Sequence, residues 1–290
     1  MSNVEWRFGT GGLSACVRQR GAELSSLRLE GTGELLWQAG PQWPRHAPNL
    51  FPIVGKLAGD RLHHDGRSYT LTQHGFARDL DFEWIERYPE ACRLRLIADV
   101  HTRERYPFDF TLEIAYTITD GALTIDYLVA NPSSRPLFAS IGAHPAFNWP
   151  LSPGTPKTDH QILFDQPEPA PVRRLKAGLL SGEREPSPVE GRVLPLDENL
   201  FERDALIFDA LASTSLSYGT ADLALSVSWE GFEQLGLWMR PGADYLCIEP
   251  WHGMASPEGF DGPFTEKPGL FSLKPGEERS FRMKIGPMAQ

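Results

Sequence analysis

The stretch TLEIAYTITDGALTIDYLVA, residues 111–130, decides the fold. Apolar side chains recur at every second position. Leu112, Ile114, Tyr116 and Ile118 precede the dipeptide Asp120-Gly121, and Leu123, Ile125, Tyr127 and Val129 follow it. A period of two gathers each set on one face of a half-buried strand. Asp-Gly between two such runs supplies the pair of positive-φ residues that a tight hairpin turn requires. An antiparallel hairpin is therefore expected here.

Working outward, residues 93–100, 221–229, 235–239, 245–248 and 280–285 also read as strands, and Lys274-Pro275-Gly276-Glu277 as a turn before the last of them. The chain holds 27 glycines and 25 prolines in 290 residues, a density that suits many short strands joined by turns. Helical periodicity is scarce; the best segment is 197–203, with Asp197 placed to cap it. Residues 152–190, rich in proline and charge, predict an excursion over the surface. No repeat or linker divides the sequence. The expectation is an all-β antiparallel sandwich forming a single domain over residues 1–290.

A hydrophobic fraction of 41% is enough for a large core. The balance of 28 basic against 38 acidic residues, net −10, argues against a nucleic-acid or anionic-membrane surface, since both call for a positive field. Cys16, Cys92 and Cys247 are few, odd in number and widely spaced, so neither a disulfide framework nor a structural zinc site is expected. The first residues lack the layout of a signal peptide, and no apolar run reaches the ~20 residues of a membrane helix. The expected location is the cytoplasm.

Polar residues break the strand pattern in three places. In residues 72–79, TQHGFARD, His74 shares a strand face with Thr70 and Thr72, and Gly75 allows a sharp turn just after it. In residues 140–148, SIGAHPAFN, Pro145 ends ladder pairing and puts His144 at a strand end. In residues 245–253, YLCIEPWHG, Glu249 closes an apolar strand beside Trp251. Desolvation there raises a carboxyl pKa, which suits a general acid or base. Taken singly, each has a structural explanation: a hydrogen-bonded strand-end histidine, a turn-capping glutamate, an exposed Arg78-Asp79 ion pair, tryptophans that only pack.

Taken together, these segments resemble the aldose 1-epimerase family, most of all its LacX-like branch. The resemblance rests on residues 49–55 (NLFPIVG), 73–78 (QHGFAR), 141–148 (IGAHPAFN) and 247–251 (CIEPW), with 106–108 (YPF) and 201–208 (FERDALIF) between them. They stand in family order and cover the chain from about residue 49 to its final strand. The resemblance implies a galactose-mutarotase-like β-supersandwich with an open sugar cleft. It also implies interconversion of sugar anomers through ring opening, with no metal and no cofactor. By position in the motifs, Glu249 is the implied general base, His144 the general acid and His74 the second active-site histidine. Arg78, Asp204 and Trp251 are the implied sugar-binding residues.

The sequence departs from galactose mutarotases proper before the first histidine, where Lys56 and Arg61 stand at altered spacing from the family's arginine. His74 is followed by Gly-Phe-Ala-Arg, a feature shared with the hexose-6-phosphate epimerase branch. A free hexose is the expected substrate and a hexose 6-phosphate the alternative. A non-catalytic carbohydrate-binding module and a glycoside hydrolase using Glu249 with Asp204 are the competing functions.

Overall fold

The computed structural model describes residues 4–288. The hairpin forms as its pattern requires: strands Thr111–Thr119 and Ala122–Ala130 pair antiparallel, Ile118 opposite Leu123, and Asp120 and Gly121 both take positive φ, 52° and 71°. All eight patterned apolar residues are buried. The hairpin lies inside a nine-stranded antiparallel sheet, flanked by Ala91–Ile97 on one side and the long C-terminal strand Glu278–Pro287 on the other.

A second, eight-stranded sheet has Tyr245–His252 near its middle, every residue of it buried. On one side it pairs with Gln234–Trp238, and on the other with the short strands Ile141–Ala143 and Ala146–Asn148. Hydroxyls from the first sheet reach the elements of the second. Tyr127 donates to Asn49 Oδ1 (2.9 Å), Tyr218 donates to the Asn148 carbonyl (2.8 Å), and Tyr116 accepts from Asn49 Nδ2 (3.3 Å) while donating to the Ala22 carbonyl (2.7 Å) in the turn before Leu24–Leu29. A buried phenol keeps a partner in this way while its ring fills the core. The two inner faces thus make one sandwich, and its largest apolar cluster runs from Phe8 to Ile285. A four-stranded sheet, Glu5–Thr10 through Gly33–Glu34, completes the N-terminal part.

Several local expectations are corrected. Residues 152–190 are no excursion: Gln161–Phe164 joins the nine-stranded sheet, and the hairpin Val172–Lys176/Leu179–Glu185 forms the edge of the other. Three-residue apolar runs between prolines are too short to show a period, though long enough to pair. His74 is not on a strand. The strand ends at Thr70, and His74 sits in a turn at φ 65°. Pro145 interrupts pairing without ending it, because the strand resumes at Ala146 and the Pro145 carbonyl accepts from Ile248 N. Glu249 lies inside its strand, which continues to His252. The 93–100 run ends at Ile97, and a turn of helix capped by Asp99 follows. The Asp197 cap is present, but on a 3-10 turn, Glu198–Phe201. Among the described residues no helix is long and apolar enough to cross a membrane.

Candidate active site

Strand alternation sends Cys247, Glu249 and Trp251 to one face of the eight-stranded sheet. Two glycines make room for the indole there. A Cβ on Gly142, which pairs with Trp251, would stand 2.5 Å from the ring; one on Gly236, which pairs with Glu249, would stand 2.4 Å from it. Trp251 therefore lies flat across both neighbouring strands, next to Glu249. Beside them opens a cavity of about 270 Å³ whose walls include His74, Arg78, His144, Asp204, Glu249 and Trp251. All six residues expected from the sequence meet in this one space.

His144 Nε2 lies 3.2 Å from Glu249 Oε2, both side chains almost fully buried. The alignment is not that of a hydrogen bond, and Glu249 Oε2, like His144 Nδ1 and Trp251 Nε1 nearby, is buried without a hydrogen-bond partner. Burial raises the Glu249 carboxyl well above the ordinary carboxylate range; the nearby Trp251 N–H opposes this and the charge of Asp204 adds to it. Burial also pushes the His144 imidazole down, to about 3, helped by the charges of Arg78 and Arg45. Both groups thus favour their neutral forms, and the pair holds one proton over a wide pH range.

His74 faces His144 edge-on, ring centroids 5.7 Å apart. The turn that carries it is fixed by Gly75 at φ 68°. A Cβ there would meet the Phe51 carbonyl oxygen at 2.3 Å, and that oxygen accepts from Phe76 N and Ala77 N. Gly55 N donates to His74 Nδ1 (3.2 Å). An imidazole that accepts at Nδ1 carries its proton at Nε2. Burial and the charges of His144, Arg78 and Arg45 hold its pKa well down. His74 is therefore a neutral hydrogen-bond donor into the cleft. The Gln73 side-chain amide lies 3.3 Å from Nε2.

Arg78 is held by a 2.7 Å bond from Nη2 to the Gln73 carbonyl, while its buried Nε has no partner. Burial and Arg45 lower its pKa to about 10. Asp204 sits at the rim in a left-handed conformation, φ 69°, with Oδ1 accepting from Ala205 N. Arg174 ties that loop down through the Leu200 and Asp204 carbonyls. Lys56 and Arg61 do not line the cavity; they face Asp60 and Thr70. The further cation whose charge reaches both histidines is Arg45, bonded to Asp79 at 2.9 Å.

Sequence reading missed Arg45 and Trp43, and took Trp238 for packing. Trp43 stacks on His144 (5.0 Å, 24° between planes), and Trp238 stands edge-on to both rings, 5.8 Å from Trp43 and 5.9 Å from His144. Trp43 lies in a loop with no periodicity, so only its neighbourhood of Trp37 and Arg45 could have drawn attention to it. His144, Cys247 and Glu249 place one ligand atom each within 4.8 Å of one another, so geometry alone would admit a cation. Burial and the adjacent Glu249 push the Cys247 thiol well up, however, which opposes the thiolate that a metal would need. A larger, open depression of about 730 Å³ on the N-terminal sheet, lined by turn glycines, Arg7 and Arg28, brings no acid–base pair together.

Fold and cleft define an antiparallel β-sandwich protein with a buried histidine–glutamate pair beside one cavity. The sequence model of aldose 1-epimerase matches residues 4–286, and the chain belongs to that family. It is 29% identical to the chromosomally encoded protein LacX of Lactococcus lactis subsp. lactis over 278 residues, 91% of this chain and 92% of the relative. Its structure is similar to that of a galactose mutarotase related enzyme from Lactobacillus acidophilus, with TM-score 0.92, 32% identity, and 99% and 98% of the two chains covered. A galactose mutarotase-like protein from Lactobacillus casei gives 0.90 at 27% identity, covering 98% and 100%. The galactose-mutarotase-like supersandwich expected from the sequence is thus the observed fold.

Proposed function

We propose that this protein is an aldose 1-epimerase that interconverts the α and β anomers of a free hexose by acid–base ring opening, without a metal or cofactor. The observation that carries the reading is the 3.2 Å separation of His144 Nε2 and Glu249 Oε2. In an aldose the anomeric hydroxyl oxygen and the ring oxygen share one carbon, so the groups that exchange protons with them must be close neighbours.

The one-proton pair acts as Glu249 carboxylate with His144 imidazolium, the proton having crossed the short gap between them. Glu249 takes the anomeric proton while His144 protonates the ring oxygen; the C1–ring-oxygen bond breaks and C1 becomes an aldehyde. Rotation about C1–C2 presents the other face. The new hydroxyl then returns its proton to His144, Glu249 protonates the aldehyde oxygen, and the ring closes. The pair ends as it began, so protons balance with no further reactant. His74 donates from Nε2 to the sugar near C1. Arg78, whose planar fork suits adjacent hydroxyls, Asp204 and Trp251 hold the ring.

Among the described residues lining the cavity, Arg78 is the one permanent cation, set against Asp204 beside a His144–Glu249 pair of no net charge. This balance favours an uncharged hexose over its 6-phosphate. Three buried free thiols support a reducing, cytoplasmic setting. Saturation-transfer NMR of anomeric exchange in glucose, galactose and glucose 6-phosphate, with and without prolonged chelation, tests the reading. Exchange above the solvent rate, faster for the free sugars and indifferent to chelator, is expected. Binding without exchange would make the protein a carbohydrate-binding module instead.

A further inference from the structure

Away from the His144–Glu249 pair the protein buries an ammonium group. Lys267 follows a short turn, Phe264–Glu266, and is only 3% exposed. Its Nζ donates to the Met254 carbonyl (2.6 Å) and the Pro268 carbonyl (3.1 Å), which leaves a third N–H without a partner among the described residues. Two carbonyl dipoles supply no countercharge, and no carboxylate of the described residues stands within ion-pair distance of Nζ. A buried charge of this kind is costly unless an opposite charge joins it. Burial pushes its pKa down to about 8, so the group is still mostly charged at neutral pH.

Lys267 lines a cavity of about 70 Å³ outside the cleft, together with Arg61, His63, Ser256 and Asp261. One water takes ~10–15 Å³ of such space, so there is room for roughly five to seven atoms. The buried Ser256 side chain and the exposed His63 imidazole make no hydrogen bond within the described residues. Arg61 uses one N–H on Thr70 Oγ1 (3.1 Å) and keeps the others. Lys267 and Arg61 against Asp261 give the cavity a positive balance, in a chain whose net charge is −10.

We propose that this cavity is a binding site for hydrogenphosphate, a five-atom oxyanion that can both accept and donate. Lys267 and Arg61 supply the countercharge, and Ser256 and His63 supply further hydrogen bonds. Asp261 accepts from the protonated phosphate oxygen. That contact selects phosphate over sulfate, which has no proton to donate at neutral pH and meets the carboxylate as a like charge. The site stands behind the cleft wall: Ser256 N donates to the Lys56 carbonyl (2.8 Å), and the neighbouring residues Ala255 and Gly55 line the cleft itself. It is distinct from Arg78, the cation of the cleft.

Titration calorimetry of the whole chain with inorganic phosphate and with sulfate, at constant ionic strength, tests the site. Wild type is expected to bind one phosphate per chain, at least tenfold more tightly than sulfate. Lys267→Met keeps the length of the side chain, removes its charge and should abolish binding. Should that variant not fold, Arg61→Ala/Ser256→Ala decides: with a wild-type unfolding transition, it should weaken phosphate about tenfold, as for loss of charge-assisted hydrogen bonds. Arg78→Ala should leave phosphate affinity unchanged. Binding that is lost in Arg78→Ala but kept in the other variants places the anion in the cleft and overturns the proposal. Absence of phosphate binding by wild type overturns it as well, and so does an affinity that none of these substitutions changes. Sulfate bound as tightly as phosphate overturns the assignment of the ligand.

Discussion

The central hairpin of the nine-stranded sheet and the strand Tyr245–His252 of the eight-stranded sheet differ in how far their inward polar atoms are satisfied. In the nine-stranded sheet, nine-residue strands alternate cleanly, and the polar atoms that the hairpin sends inward, the hydroxyls of Tyr116 and Tyr127, find partners. In the eight-stranded sheet the strands beside Tyr245–His252 are only three to five residues long. Glu249 Oε2, His144 Nδ1 and Trp251 Nε1 are buried there with no partner at all. Groups that cost about 1–3 kcal/mol each when unsatisfied persist where a ligand can satisfy them. The hairpin is satisfied from within, and the unpaired atoms of the eight-stranded sheet gather at the candidate site.

The sharpest way to break this comparison is at the proton pair. Glu249→Gln keeps size and polarity but removes basicity, so anomeric exchange should fall by ~10²–10⁴-fold while sugar affinity changes far less. His144→Asn should behave alike. Combined, the two losses should fall well short of multiplying, because both residues serve one proton transfer. Exchange kinetics beside sugar-binding isotherms measure both quantities. Normal exchange in a folded Glu249→Gln protein would remove Glu249 from the chemistry.

A matched pair of substitutions then sets sheet against sheet. Ile125→Ala opens a cavity in the nine-stranded sheet and should destabilise by about 2–5 kcal/mol, leaving kcat/KM per folded molecule unchanged. Gly236→Ala puts a methyl 2.4 Å from Trp251, forcing the indole to shift beside Glu249. It should reduce kcat/KM by on the order of 10²-fold, the scale of a 1 Å misplacement, with the smaller loss of stability. Denaturant unfolding and exchange rates on both proteins give the comparison. The reverse pattern would mean that the contrast between the two regions is wrong.

The same contrast explains what could be read from the sequence. Residues 111–130 were legible because a two-residue period survives over two long strands with a diagnostic turn between them. The site was legible as short motifs, and only because a resemblance ordered them: Glu249, His144 and His74 are far apart in the chain and meet through sheet pairing and the Gly75 turn. Short elements were not legible. Gln161–Phe164 and Val172–Lys176 carry too few alternations to separate them from the proline-rich segments around them. Trp43 and Arg45 were missed because neither a loop tryptophan nor one distant arginine has a pattern; Trp238, on its strand, passed for packing because its place beside His144 exists only through side-chain geometry.

Trp43 yields a smaller expected effect. Its face lies against the His144 imidazole, where it stabilises the imidazolium that the reaction needs. The charged and titratable groups around that imidazole are Glu249, His74, Arg78, Arg45, Cys247 and Tyr245. Trp43→Leu should lower kcat about 3–10-fold with little change in KM, and Trp43→Phe should retain most of the activity. In wild type, a His144 imidazole held well below its ordinary range implies a kcat/KM profile with no inflection at an ordinary histidine pKa of ~6.5. A clear inflection there, in a pH profile of exchange, would refute that lowered pKa.

The smallest effect concerns stability and tests whether Glu249 strains the cleft sheet. Its carboxyl is held well above the ordinary range by burial, so the native state keeps a proton that the unfolded chain gives up above about pH 4.5. A raised native pKa contributes its stability fully below the unfolded pKa and loses it as pH rises toward the folded one. Glu249→Gln carries no such proton. The variant should therefore match wild type near pH 4 and become more stable than it as pH rises to neutrality, by a few degrees in Tm for each one to two kcal/mol removed. Thermal unfolding of both proteins across that range measures the difference. A Tm gap that does not widen with pH would mean that the native His144–Glu249 pair keeps no proton that the unfolded chain gives up.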